Sequence, residues 1–289
     1  MRMFTTPEWI YALGAGPVSE MTLHLGLYQA FADGESGLLT DYVEDYLRPR
    51  GMSNEEIKPY VARRRRLALG PPNNDPLPVV LNRKGQYELD GDGHHRAVRH
   101  VFEGSERVSV DVQSISPMWQ QLVNNLGALY PGRERYLYQE IEHPFFAGWD
   151  HSRDPDRLTT VMDALHGRGL LSEPDGWPTE NALEVGSCTG RFCRELARAG
   201  QRVFGIDCNA AVVSIAEHLN FIFKCNPTYD LHPVYWTTKI GDPLYNRLLM
   251  GGDGWNIIVC LSVLHAHHTM GEHEWVRAVL RQLLDRTRC

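Results

Sequence analysis

The chain has no cysteine before residue 188, and its six cysteines include no C-x-x-C pair. Disulfide frameworks and zinc sites need cysteines at close, paired spacing, so neither is predicted. Several of these cysteines lie in apolar segments, which favours buried, reduced thiols of the kind found in a cytoplasm. The six are Cys188, Cys193, Cys208, Cys225, Cys260 and Cys289.

Long apolar runs are also absent. No run reaches the ~20 residues of a membrane-spanning helix. The amino end lacks the apolar core and the cleavage pattern of a secretory signal. We therefore expect a chain that crosses no membrane and works in the cytoplasm.

Positive charge is scarce relative to negative charge. Lys and Arg total 29 against 36 Asp and Glu, which gives a net charge of −7. Dedicated nucleic-acid-binding domains are usually basic, so a nucleic-acid partner is not expected. One basic run, Arg63–Arg66, follows a capping box at Ser53–Glu56, and we favour a solvated helix end there over a phosphate-binding strip.

Histidines are frequent near the carboxyl end, but their spacing is not that of a metal site. The order H-x-H-H followed by H-E differs from the H-E-x-x-H pattern of zinc-binding helices. No metal is predicted there. The residues concerned are His265, His267, His268 and His273, followed by Glu274.

The most informative stretch runs from Asn181 to Asp207. It consists of an apolar strand, a turn of small residues, a helix starting near Thr189 and a second strand that ends in a carboxylate. Gly186 and Gly190 lack the Cβ atoms that would keep a ligand away from the turn, and the helix directs free N–H groups toward it. Asp207 follows Gly186 at about the 20-residue separation at which an acid meets a ribose diol. The unit therefore predicts a site for a nucleoside-containing cofactor.

The turn E-x-G-x-C-x-G resembles motif I of class I S-adenosylmethionine (SAM)-dependent methyltransferases, with Cys188 at the usual middle glycine. A Rossmann dinucleotide site would instead have G-x-G-x-x-G. The resemblance extends over about residues 136–289. It implies a ribose-binding acid at Asp207 and an acid near adenine at Asp242. The cofactor-binding residues that it implies are Glu184, Gly186, Cys188, Gly190, Asp207, Asp242 and Leu261.

Later segments fit the same family. Residues 234–240 and 255–261 are predicted strands, the second a continuous apolar run typical of a doubly covered parallel strand, and 271–284 is a predicted helix. His265, after the fourth strand, is the candidate catalytic base. The family's sheet has three further strands that this sequence lacks, so the fold class is α/β with a Rossmann-like parallel sheet that is incomplete at the carboxyl end. We expect a second copy of the chain or another partner chain to cover the open edge.

The first half carries a second motif. Strands are predicted at 77–81, 86–89 and 107–112, with D-G-D-G-H-H-R opening a helix between the last two. Glycines before a helix, followed by imidazoles and a guanidinium, suit a phosphate. The motif resembles the box of ParB/sulfiredoxin-like domains, which implies that ATP or CTP with Mg²⁺ binds there. Its residues are Asp92, Gly93, His94, His95 and Arg96.

Three segments are therefore predicted: a smaller α+β ParB-like domain over 1–115, a helical and aromatic linker or lid over 116–155, and a methyltransferase-like domain over 156–289. The predicted function is SAM-dependent methyl transfer to an O or N nucleophile of a small molecule, with a phosphorylated acceptor as one option. Two alternatives remain open. One is a ParB-like, ATP-dependent small-molecule kinase with a SAM-sensing or vestigial second unit, and the other is a non-enzymatic nucleotide-binding module.

Overall fold

The computed structural model describes residues 2–5, 10, 19–71, 75–90, 93–152, 156–171, 181–224, 233–250, 254–261, 263–264 and 268–287. The chain divides into two compact units, Met1–Gln120 and Gln121–Cys289. The division falls close to the end of the predicted first domain; the roles of the domains stay predictions. None of the described helices combines the length and the apolar character that a membrane span needs.

The described residues of the first unit form a four-stranded sheet and four α-helices. The strand order is β1-β4-β2-β3, in which β2 and β4 are parallel and the other pairs antiparallel. The strands are β1 (Arg2–Thr5), β2 (Leu77–Leu81), β3 (Tyr87–Leu89) and β4 (Val108–Ile115). The helices are α1 (Ser19–Asp33), α2 (Ser36–Tyr42), α3 (Asn54–Leu69) and α4 (His94–Phe102).

Local sequence signals account for much of this unit. Ser53 and Glu56 form the predicted capping box, which starts α3, and the arginine run lies within that helix. Alternating residues of β2 are buried, as expected for a strand with one face on the core. The prediction did not include β1, and β4 extends three residues beyond the predicted strand end.

The second unit is built on a parallel sheet with the order β10-β7-β8-β9. The predicted fold class, mixed α/β with a Rossmann-like parallel sheet, is confirmed. Its strands are β7 (Asn181–Val185), β8 (Arg202–Asp207), β9 (Val234–Thr237) and β10 (Ile257–Cys260), and a separate short pair is formed by β5 (Tyr136–Leu137) and β6 (Asp150–His151). Its helices are α6 (Asp156–Gly167), α7 (Arg191–Arg198), α8 (Ala210–Lys224), α9 (Pro243–Met250) and α10 (His273–Leu284), while α5 (Pro117–Leu129) contains the boundary between the units.

Helices cover both faces of this sheet. Successive residues of a strand point to opposite faces, so neighbouring residues of β7 belong to different core clusters. Ala182 belongs to a cluster that includes residues of α7 and α8, against which Leu158 and Leu165 of α6 pack. Leu183 belongs to a second cluster with residues of α9 and α10. The predicted helix over 158–165 therefore covers the sheet as expected.

One edge of the sheet is β10. On that side Trp255 donates its backbone N–H to the carbonyl of Arg286, and Thr287 forms a parallel bridge to Trp255. No other described residue pairs with that edge. Residues of β10, α6 and α10 line a groove of about 310 Å³ beside it. Coverage of the edge by a second copy or a partner chain stays a prediction.

Candidate functional site

The two glycines of the turn after β7 adopt the left-handed backbone that favours glycine. Their lack of a Cβ atom was predicted to make room for a ligand, but in the structure it makes room for neighbouring side chains. Gly186 and Gly190 have φ of 78° and 79°. A Cβ on Gly186 would lie 2.2 Å from Cγ2 of Val263, and one on Gly190 would lie 2.3 Å from the hydroxyl of Tyr235. The glycines are thus needed for close packing within the protein, in addition to any approach of a ligand.

Cys188 adopts φ of 50° in the left-handed region, which side chains other than that of glycine rarely occupy. Its N–H donates to Oδ2 of Asp207 at 3.1 Å. The position that the family gives to glycine therefore keeps a glycine-like backbone. Burial raises the pKa of the Cys188 thiol to about 12, so this cysteine stays protonated.

Asp207 ends β8 beside this turn. Its Oδ2 accepts the Cys188 N–H, and its Oδ1 accepts the N–H of Asn209 at 2.9 Å. The backbone therefore fixes the carboxylate from two sides, and the half-exposed side chain contributes to a cavity wall. The structure thus places the turn after β7 and the end of β8 next to each other.

Glu184 is buried inside β7. Its Oε2 accepts the N–H of Cys193 at 3.0 Å and its thiol at 2.9 Å. Burial raises the pKa of Glu184 to about 8, against the opposing effect of the Cys193 hydrogen bonds and Arg194. The acid is therefore largely protonated at neutral pH until a cation approaches it.

A cavity of about 470 Å³ lies at the carboxyl ends of these strands, where ligands of open α/β sheets bind. We call it the large cavity. It combines Asp207 with apolar walls and two cysteine side chains. Its lining residues are Tyr138, Val185, Gly186, Cys188, Ile206, Asp207, Cys208, Thr238, Lys239, Ile240, Leu261, Val263 and Trp275.

A second cavity, of about 50 Å³, adjoins the first and shares Tyr138, Gly186 and Leu261 with it. We call it the small cavity. It is richer in charge and contains the predicted acid of β7. Its lining residues are Tyr138, Gln139, Glu140, Arg157, Leu158, Glu184, Gly186, Arg191, Phe192 and Leu261.

An ion-pair network joins α7 to the segment before α6, by which we mean residues 138–142. Glu142 pairs with Arg191, with Arg194 at 2.8 Å and with Arg198 at 3.4 Å. Arg194 is completely buried and also donates to the carbonyl of Thr189 at 2.7 Å. The predicted lid segment is therefore tied to the glycine-rich turn. No sequence motif indicates this network, because its residues are scattered along the chain.

The segment after β9 places a different residue at the cavity from the one predicted. Asp242 is exposed, accepts the Lys239 N–H at 3.1 Å and does not line either cavity. Thr238 does line the large cavity. Its Oγ1 is buried and has no hydrogen-bond partner in the part of the chain that the structure describes. The sequence offered no sign of this hydroxyl, since a lone threonine after a strand belongs to no motif.

His265, the predicted base, lies outside the described residues, as does Asp92 of the box in the first unit. Gly93 precedes α4, and His94 is half-buried in its first turn. His95 packs against the ring of His24, with 4.6 Å between centroids. Arg96 donates to the carbonyls of Asp75, at 3.0 Å, and Pro76.

Two members of the box thus stabilise the first unit itself. Burial, together with Arg64, His24 and His94, lowers the pKa of His95 to about 3, so that its ring is neutral. A neutral, enclosed imidazole is a poor phosphate ligand. Phosphate binding by Asp92, Gly93, His94, His95 and Arg96 stays a prediction, as does a nucleotide with Mg²⁺ there. No group of His, Cys, Asp and Glu suited to a metal occurs among the residues that the structure describes.

Comparison with known proteins gives fold likeness only. No protein-family model matches the chain, and no curated protein matches it. Magnesium protoporphyrin IX methyltransferase (ChlM) from Synechocystis PCC 6803, with bound SAM, is 21% identical with a TM-score of 0.34, over 46% of this chain and 53% of that one. The bifunctional kinase-methyltransferase WbdD is 23% identical with a TM-score of 0.41, over 57% of this chain and 34% of that one.

The chain thus spans about half the length of the first protein and about a third of the second. None of these matches shows that the first unit is ParB-like. At such low identity and TM-score these matches indicate nothing about function. A function for this chain therefore has to be inferred from the residues of the two cavities.

Proposed function

We propose that the second unit binds SAM and transfers its methyl group to an O or N nucleophile of a small molecule. The main support for the proposal is the position of the Asp207 carboxylate. It lies in the wall of the large cavity and accepts hydrogen bonds from the backbone N–H groups of Cys188 and Asn209. A carboxylate at the end of the second strand of such a sheet is suited to a ribose diol. Ile206, Ile240 and other apolar side chains of the same cavity suit the adenine ring of the cofactor.

The residues present fit this cofactor. Glu184, beside the small cavity, suits an ammonium group, and the Gly186 turn allows close approach of a ligand. When bound, SAM supplies an electrophilic methyl group, so attack by the nucleophile breaks the methyl–sulfur bond and leaves the electron pair on sulfur. The chain then has to position the nucleophile and accept its proton. We propose His265 for the proton.

The proposal is tested by calorimetric titration of SAM into the full chain and into Asp207→Asn. An asparagine keeps one oxygen for the Cys188 N–H but loses the charge that would bind the diol. We expect the Kd to rise by roughly tenfold or more, as for a lost charge-assisted hydrogen bond. Asp163→Asn, on the exposed side of α6, is the matched control and should bind SAM like the unaltered chain.

Absence of SAM binding to the unaltered chain, or equal binding by Asp207→Asn, would contradict the proposal. His265→Gln separates binding from turnover. We expect it to leave the Kd for SAM unchanged and to slow methyl transfer to any acceptor found. The kinase alternative is less well supported, because His95 and Arg96 of the box make contacts within the first unit.

A further inference from the structure

Two helices of the first unit end close together and leave apolar side chains in water. Leu67 and Leu69, in the last turn of α3, are 52% and 60% exposed. Val101 and Phe102, at the end of α4, are 36% and 39% exposed. Single apolar side chains at a surface are ordinary, whereas a group of them is typical of a contact surface. We call these four residues the apolar tip.

Arg99 joins the two helix ends. It lies in the last turns of α4 and donates to the α3-side carbonyls of Leu67, at 3.0 Å, and Gly70, at 2.8 Å. Its Nε also pairs with Glu103 at 2.6 Å, so the charge of this arginine is balanced within the unit. The exposed apolar side chains of α3 and α4 therefore belong to one region of the surface.

Three arginines of α3 lie beside the apolar tip. Arg63, Arg65 and Arg66 are exposed and have neither an ion-pair nor a hydrogen-bond partner among the residues that the structure describes. Residues three or four apart on a helix are neighbours, so Arg63 lies beside Leu67. Arg65 and Arg66 lie beside Leu69 for the same reason. The fourth arginine of the run packs over an aromatic ring of its own helix. The surface thus combines apolar side chains with positive charge that nothing in the described part of the chain neutralises.

An anionic lipid surface is complementary to this combination. Guanidinium groups bind phosphate through two donors, and apolar side chains next to them enter the boundary between headgroups and acyl chains. An amphipathic helical partner would need an apolar groove about two helical turns long, whereas the apolar tip is confined to the ends of two helices. Single-stranded nucleic acid stacks its bases on aromatic rings, and of the four residues Phe102 alone is aromatic.

We propose that the first unit docks on membranes that contain anionic lipids, through the apolar tip and the three arginines beside it. The apolar side chains enter the interface, and the arginines bind the lipid phosphates. The contact is peripheral and reversible, since so few side chains bury far less apolar surface than a membrane-spanning helix. The inference is independent of the proposed function, because every residue in it belongs to the first unit.

Co-sedimentation with vesicles tests this contact. We expect the full chain to bind vesicles of about 30% phosphatidylserine in phosphatidylcholine, and to bind phosphatidylcholine alone much less. Salt at about 1 M should release the chain, because it shortens the Debye length to ~3 Å. Arg63→Gln, Arg65→Gln and Arg66→Gln together should lower the partition coefficient roughly 100-fold, at about fivefold per arginine. Leu67→Gln with Leu69→Gln should lower it about tenfold.

A matched control lies in the second unit, where the exposed Arg247 and Met250 are neighbours on α9. Arg247→Gln with Met250→Gln should partition like the unaltered chain. Thermal unfolding reports whether each variant folds, and the salt and lipid dependence need no variant. Failure of the unaltered chain to bind anionic vesicles, or equal losses in the control and the α3 variants, would overturn the inference. Binding to RNA or to a glutamate-rich helical peptide without binding to vesicles would also overturn it.

Discussion

At the scale of single residues, an unsatisfied hydroxyl is the most specific clue. Thr238 buries Oγ1 without a partner in the described part of the chain, at the wall of the large cavity. Burying such a group is unfavourable unless something completes its hydrogen bonds. A bound nucleoside that reaches from Asp207 toward the end of β9 would do so.

Thr238→Val removes the hydroxyl and preserves the shape of the side chain. We expect it to weaken SAM binding about fivefold, the worth of one neutral hydrogen bond, while the melting temperature stays the same or rises. Thr237→Val is the matched control, since Thr237 is exposed and lines neither cavity. Titration calorimetry and thermal unfolding of both variants suffice. A fall in melting temperature without loss of affinity would mean that the hydroxyl serves the fold.

At the scale of elements, the contact between the segment before α6 and helix α7 positions one wall of both cavities. Tyr138 lies in this segment and lines both cavities, and Gln139 accepts a hydrogen bond from Thr189 of the turn at 3.4 Å. The completely buried Arg194 and the partly buried Glu142 form the central ion pair of that contact. Removing one partner of such a pair leaves an uncompensated charge away from water.

Arg194→Met or Glu142→Gln alone should lower the free energy of unfolding by roughly 3–5 kcal/mol, and the double variant should lose less than the sum of the two. Glu274 and Arg277 form the matched exposed pair, at 2.7 Å, and their cycle should give less than about 1 kcal/mol. Chemical denaturation of the full chain measures all these values. Additive losses at Glu142 and Arg194 would show that the two side chains act separately.

Elements with strong local signals were predicted in the right places, although the strands predicted over 234–240 and 255–261 are shorter, and the contacts between elements were not predicted. The strand–turn–helix–strand unit around Gly186 is encoded within one stretch, so its bounds and the position of Asp207 were accessible from the sequence. His95 and Arg96 were predicted to face a ligand together. Which way a helical side chain points depends on what packs against the helix, and here His24 lies against His95.

At the scale of the whole molecule, the two units contain buried groups that respond oppositely to pH. The pKa of Glu184 in the folded chain is raised to about 8 from 4.5, so its contribution to stability is present below pH 4.5 and is lost as the pH rises toward 8. The pKa of His95 is lowered to about 3 from 6.5. Its contribution is present above pH 6.5 and is lost as the pH falls toward 3.

Glu184→Gln and His95→Gln should therefore differ from the unaltered chain in opposite directions along the pH axis. Relative to the unaltered chain, we expect Glu184→Gln to gain stability from pH 5 to pH 8, and His95→Gln to gain stability from pH 6.5 to pH 4. Each slope is at most about 1.4 kcal/mol per pH unit. Denaturation at several pH values measures the slopes, and constant offsets from lost packing do not affect them. A flat difference for either variant would contradict the assigned pKa direction.

The parallel order β10-β7-β8-β9 also has a consequence for the timing of synthesis. Strands β7 and β8 and helix α7 are contiguous, so they can pair as soon as that stretch leaves the ribosome, whereas β10 joins β7 only after β8 and β9 have been made. Val263 and Trp275, which complete the large cavity, emerge later still. A nascent chain therefore carries the glycine-rich turn and Asp207 well before it has an enclosed cavity, so stabilisation by a ligand of this cavity comes only after Trp275 has been made.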